Sequence, residues 1–259
     1  MRRPLGRAPG LPLRAILPNA VTALALCSGL TGIRFAVLGD WERAVVMVLL
    51  AAVLDGLDGR IARMVRGESR FGAELDSLSD AIAFGVSPAL ILYLWSLVAL
   101  PRLGWVSALA LAVCCALRLA RFNARIDVAD QPHKMAGFLT GVPSPAGAGL
   151  ALLPMYLWLW SGEALFRDPR LVAPWVLLVA LGMVSSIATF SSGSLRLRRS
   201  VRFEALVVIV FLGVAVVSLP WETLTALAAV YALSLPFSVA AYRRVKRRAR
   251  TGSPARPSE

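Results

Sequence analysis

The chain has a single histidine, His133, and only three cysteines, Cys27, Cys114 and Cys115, in 259 residues. The cysteines lie inside apolar runs and read as small core residues, neither a disulfide framework nor a metal knuckle. His133 falls in a polar stretch and reads as a solvated loop residue. A zinc site built on nitrogen and sulfur is therefore not expected. Acids are scarce as well, 15 against 28 Lys and Arg. Outside one stretch the apolar runs hold almost none of them, which argues against a transporter or channel with acidic groups spaced along a pore. Internal repeats are absent, and no segment is polar enough to form a soluble domain.

Apolar residues are abundant. The chain is 58% hydrophobic with a mean hydropathy of +0.69, too high for a soluble protein of this length. The expected fold is all-α, a polytopic membrane bundle. No cleavable signal peptide is expected, because the first apolar run begins only near Ala15 and lacks a small-residue cleavage site. Eight spans are predicted, at about 20–38, 42–62, 72–97, 103–123, 140–160, 171–190, 203–219 and 222–242, each near the roughly 20 residues a helix needs to cross the hydrocarbon. Residues 1–17 read as a basic tail and interfacial segment, 18–190 as the transmembrane core, 191–242 as two additional helices and 243–259 as a basic tail.

The net charge of +13 and a pI near 11.2 invite a nucleic-acid reading, but the distribution of charge explains them differently. Twenty-three of the 28 Lys and Arg fall in the two tails or in the loops after the second, fourth and sixth predicted spans. By the positive-inside rule both termini and those loops are cytoplasmic, in a bacterial-type inner membrane, and no nucleic-acid partner is expected. The C-terminal run YRRVKRRAR also suits anionic lipid headgroups.

The exceptional acidic stretch is DGLDGRIARMVRGESRFGAELDSLSD, residues 55–80. Asp55 and Asp58 are three apart and Asp76 and Asp80 four apart, so each pair shares a helix face. The pattern predicts two helices joined by a polar turn near Arg66 to Arg70. One reading is a solvated hairpin whose acids pair with Arg60, Arg63, Arg66 and Arg70. The other is a carboxylate cluster at the membrane boundary, costly unless functional and most simply held ionised by a hard divalent cation such as Mg²⁺, Mn²⁺ or Ca²⁺.

At eight fixed positions, Asp55-x2-Asp58-Gly59-x2-Ala62-Arg63-x8-Gly72-x3-Asp76-x3-Asp80 resembles the motif of the CDP-alcohol phosphotransferase family. The resemblance implies a six-helix core, a CDP-linked lipid donor, an alcohol acceptor, CMP as leaving group, a homodimer, and two Mg²⁺ or Mn²⁺ ions per site. On that pattern Asp55, Asp58 and Asp76 ligate metal, and Asp80 ligates the second metal and is the favoured catalytic base on the acceptor hydroxyl, the two roles staying open because a metal-bound carboxylate is a weak base. Gly59 and Gly72 would admit the nucleotide closely, Ala62 would keep the same face shallow, and Arg63 would neutralise the diphosphate. The segment Leu17-Pro18-Asn19-x2-Thr22 lies near the nucleotide in the family, which assigns Pro18, Asn19 and Thr22 to the same subsite. Relatives often carry Asn three residues after that Thr; here Ala25 stands there.

The motif leaves the acceptor open, so the flanks decide. Residues 79–89 (SDAIAFGVSPA), 118–123 (RLARFN) and 141–146 (GVPSPA) resemble the phosphatidylserine synthase branch of the family. That branch implies CDP-diacylglycerol and L-serine as substrates. Arg118 and Arg121 are three apart at a helix end, and a guanidinium fork matches a carboxylate or phosphate. Ser87, Asn123 and Ser144 are further candidate acceptor contacts. Choline would need an aromatic or acidic cage instead, inositol is a further sister acceptor, and glycerol phosphate would also use arginines.

Overall fold

The computed structural model describes residues 13–65, 67, 69–124, 138–140, 142–185, 188–190 and 202–251. The outer parts of both basic tails, Arg66, His133, Lys134, Gly141 and the basic loop 191–201 lie outside the described residues. Helix α1 spans Leu13–Val37 and α2 spans Trp41–Val65. They are joined by a tight turn in which Gly39 takes φ +75°. Asp40 Oδ1 accepts from the backbone N–H of Arg43 at 3.1 Å and so caps α2.

A single helical rod runs from Arg70 to Trp95, close to the predicted third span. It consists of α3 (Arg70–Asp80), a π-helical segment over Ala81–Val86 and α4 (Ser87–Trp95). Helix α5 covers Leu103–Asn123. The predicted fifth span is broken into α6 (Ser144–Ala151) and α7 (Leu153–Ser161), with Pro154 in the first turn of α7. Then come α8 (Pro169–Val184), α9 (Arg202–Ser218) and α10 (Pro220–Thr251). The architecture is helical, and the one strand pairing among the described residues is short and antiparallel, β1 (Phe138–Thr140) against β2 (Ala188–Phe190).

By length and apolar composition Ile16–Val37, Arg70–Trp95 and Leu103–Asn123 can each cross a membrane, while Pro169–Val184 is apolar but shorter. Large apolar side chains such as Val37, Leu178, Leu181, Phe211 and Val217 point outward, as a lipid-facing surface requires. The core gathers Trp95, Tyr156, Phe84, Ile91 and Leu92, all fully buried. At the start of α2, far along that helix from its aspartates, Arg167 ties the bundle together. Its Nε donates to the Trp95 carbonyl at 2.9 Å, and its guanidinium lies over the rings of Trp158 and Trp41.

Helix α1 packs along α2 and also against α3, the π segment and α4. Two glycines permit the tightest approaches around the π segment. A Cβ on Gly29 would stand 2.8 Å from the Ala83 Cα, and one on Gly85 would stand 3.0 Å from the Cys115 Cβ of α5. Small residues at helix crossings serve this purpose in membranes. The Gly29→Ala variant is expected to lose about 1–3 kcal/mol through overpacking, read as a lower thermal midpoint in detergent. Gly149→Ala, where a Cβ meets nothing within 4 Å, serves as the control and should leave the midpoint at or above that of the parent.

Candidate active site

The final turns of α2 carry Asp55 and Asp58, and α3 carries Asp76 and Asp80. Ser69 starts α3 at the required point: its hydroxyl accepts from the Gly72 backbone N–H at 3.0 Å, satisfying one of the donors left free at a helix N-terminus. Asp55, Asp76 and Asp80 thereby meet, each offering a carboxylate oxygen within 4.8 Å of the others. The side chains of Asp55 and Asp80 are within hydrogen-bonding range of each other. Three half-buried carboxylates at this spacing repel strongly unless a cation or a shared proton lies among them. The donor set, oxygen only, fits a hard divalent ion.

Asp58 stands beside this cluster rather than within it. It is 5% exposed, and its Oδ2 accepts from the Thr22 hydroxyl at 2.6 Å. The carbonyl of Thr22 in turn accepts from the buried Ser79 hydroxyl at 3.2 Å. One residue of α1 therefore tethers the acid-bearing ends of both α2 and α3.

A cavity of about 280 Å³ opens next to these groups, lined by Pro18, Asn19, Thr22, Asp58, Gly59, Ala62, Gly67, Ser69, Gly72, Ala73 and Asp76. The six residues Pro18, Asn19, Thr22, Gly59, Ala62 and Gly72, expected around the nucleotide, all line it. Arg63 does not, although its Nη1 lies 3.7 Å from where a Gly59 Cβ would stand. The space above Gly72 holds the Asn19 side chain, since a Cβ there would come 2.8 Å from Asn19 Oδ1. The Nδ2 of Asn19 is buried with no hydrogen-bond partner among the described residues, a donor aimed at a missing acceptor.

The candidate acceptor residues separate. Arg118 Nη1 donates to the fully buried Ser144 hydroxyl at 2.6 Å, and its charge acts on Asp80. Arg121 instead donates to the Val184 carbonyl at 2.8 Å. Asn123 donates to Ser77 at 2.8 Å, tying α5 to α3. Ser87 donates to the Gly29 carbonyl at 2.7 Å, tying α4 to α1. Arg118, held by Ser144, thus lies within electrostatic reach of the carboxylate cluster, whereas the hydroxyl of Ser87 joins two helices. Gly67, Ser69, Ala73 and Ser79 belong to the site and were not singled out from sequence. Ser69 had a readable signal, a helix-capping residue three before Gly72.

Comparison with known proteins gives this geometry its class. Residues 15–190 match the family model for CDP-alcohol phosphatidyltransferase, and the chain belongs to that family of enzymes. Among curated relatives, a CDP-diacylglycerol–serine O-phosphatidyltransferase of Mycobacterium tuberculosis is 38% identical over 93% of this chain and 83% of its own. Proteins of the same name from Helicobacter pylori (35% identical, 66% of this chain and 70% of that one) and Methanocaldococcus jannaschii (39%, 51% and 56%) are also similar.

The tether through Thr22 makes a measurable difference. Thr22→Val deletes a hydrogen bond to a carboxylate, worth about 1.5–3 kcal/mol. We expect kcat/KM for the nucleotide-linked donor to fall roughly ten- to hundred-fold, and Thr22→Ser to restore most of it.

Proposed function

We propose that this protein is an integral membrane transferase that moves a phosphatidyl group from CDP-diacylglycerol to the hydroxyl of L-serine, giving phosphatidylserine and CMP. The observation that carries the reading is the order of groups across the site. The cavity with its unpartnered Asn19 amide reaches Asp76; Asp76 joins Asp80 in the carboxylate cluster; Asp80 lies within the electrostatic reach of Arg118. Such an order would set donor, reaction centre and acceptor next to one another.

Two divalent ions, Mg²⁺ or Mn²⁺, on Asp55, Asp58, Asp76 and Asp80 would neutralise the diphosphate and the charge that develops at phosphorus. The remaining work belongs to the chain. Asn19 and the shallow surface of Gly59 and Ala62 hold the nucleotide, with Arg63 at its rim. Thr22 orients Asp58. Asp80, the acid that faces Arg118, takes the proton of the serine hydroxyl as its oxygen bonds to phosphorus and the bond to the CMP oxygen breaks. Arg118 offers the cation that the serine carboxylate needs, held in place by Ser144. Arg121, Asn123 and Ser87 support this side from the helices they join.

The same reading places eight spans in a bacterial inner membrane, with the site and both termini cytoplasmic. It divides the chain into a tail (1–17), core (18–190), two added helices (191–242) and a basic tail (243–259), and expects a homodimer in contact with membrane lipid. The support is the arginine asymmetry and the outward apolar surface.

Membranes containing the protein, given CDP-diacylglycerol, Mg²⁺ or Mn²⁺ and labelled serine, inositol, choline or glycerol phosphate, should label lipid from serine alone and lose that activity with EDTA. Incorporation of another alcohol would overturn the acceptor assignment while leaving the chemistry. Asp76→Asn should abolish turnover at every Mg²⁺ concentration; activity in that variant would sink the two-metal site.

A further inference from the structure

Helix α10 lies beyond the residues that match the family model. It nevertheless inserts Leu224 and Ala228 into the core and packs on α6 and α7. Tyr231 follows Leu224 and Ala228 at helical spacing, so it projects from the same inward face. The first residue of α6 is Ser144, the hydroxyl that Arg118 holds at 2.6 Å. Tyr231 accordingly comes near enough to Arg118 for the two side chains to interact electrostatically.

Two donors in this corner are left over. The Tyr231 hydroxyl and the Arg118 Nε are both buried, and neither has a hydrogen-bond partner among the described residues. Buried polar groups are seldom left so, and two of them within electrostatic reach of one another can share an acceptor. The acceptor must be small, and an anion would best answer a guanidinium N–H and a phenol O–H together. The groups that act on Arg118 besides Tyr231 are the Cys115 thiol and Asp80, and Asp80 is committed to the carboxylate cluster.

We propose that the Tyr231 hydroxyl and the Arg118 Nε together bind the carboxylate of the acceptor amino acid, so that the last helix supplies a specificity-determining residue to the site. The inference rests on the serine reading above and adds a residue to it. Serine bound in this way turns its anionic end toward α10 and leaves its hydroxyl free for Asp80. It also gives the C-terminal helices a role in acceptor choice.

Tyr231→Phe in the full-length protein is the test, because it removes only an unpartnered hydroxyl. With CDP-diacylglycerol saturating, the KM for L-serine should rise about ten-fold, the loss of one hydrogen bond to a charged group. The kcat and the KM for CDP-diacylglycerol should stay within two-fold, and the thermal midpoint without serine should equal or exceed that of the parent. An unchanged serine KM, or a fall in kcat or thermal midpoint with serine KM unmoved, overturns the inference. Tyr93→Phe, whose ring packs edge-on to Trp105 away from Arg118, should move none of these. A parent protein that does not use serine refutes the functional reading itself, which keeps the two failures apart.

Discussion

Three carboxylates within 4.8 Å of one another set the terms for the whole bundle. No arrangement of apolar helices would bring such groups together spontaneously, since each repels the others and each loses water on approach. The surrounding packing must therefore over-determine their positions. It does so with neutral contacts. Thr22 on α1 gives its hydroxyl to Asp58 and its carbonyl to Ser79, and Ser69 fixes where α3 begins. The cation that faces the cluster, Arg118, is itself restrained by Ser144. The result is a set of carboxylates held together by geometry, oxygen donors that suit a divalent ion.

Helix α1 is the quiet partner in this scheme. It brings no acid, yet it packs against α2, α3 and the π segment and supplies Pro18, Asn19 and Thr22 to the cavity. The π segment directly after Asp80 is wedged between α1 and α5 through Gly29 and Gly85. Such segments often mark functional sites. Here it anchors the helix turn next to Asp80 between two backbones that it nearly touches.

Much of this was legible in the sequence. The paired acids announced their helices by spacing, and the motif around them, with Pro18, Asn19 and Thr22, marked most of the cavity wall but not Gly67, Ser69 or Ala73. The helical class followed from composition. What escaped has physical reasons. Ser87 stands seven residues after Asp80, which on a regular α-helix would put both on nearly one side. The intervening π turn alters that count, and the Ser87 hydroxyl goes to Gly29 instead. Arg121 shares a face with Arg118 but lies in the last turn of α5, where the Val184 carbonyl claims it. The break between α6 and α7 could be read from Pro154, whereas the pairing of β1 with β2 joins segments too distant and too short for any periodicity to reveal.

The seat of Asn19 above Gly72 has a genetic consequence. Because the amide oxygen already fills the place where a side chain at 72 would begin, the two positions behave as one locus despite their distance along the chain. A methyl group at 72 would press on the Asn19 amide and also, at 3.1 Å, on the Ser69 hydroxyl, so the effects of substituting 19 and 72 will not add. A library that randomises position 72 alone meets both neighbours, and one that varies 19 with it relieves only the first.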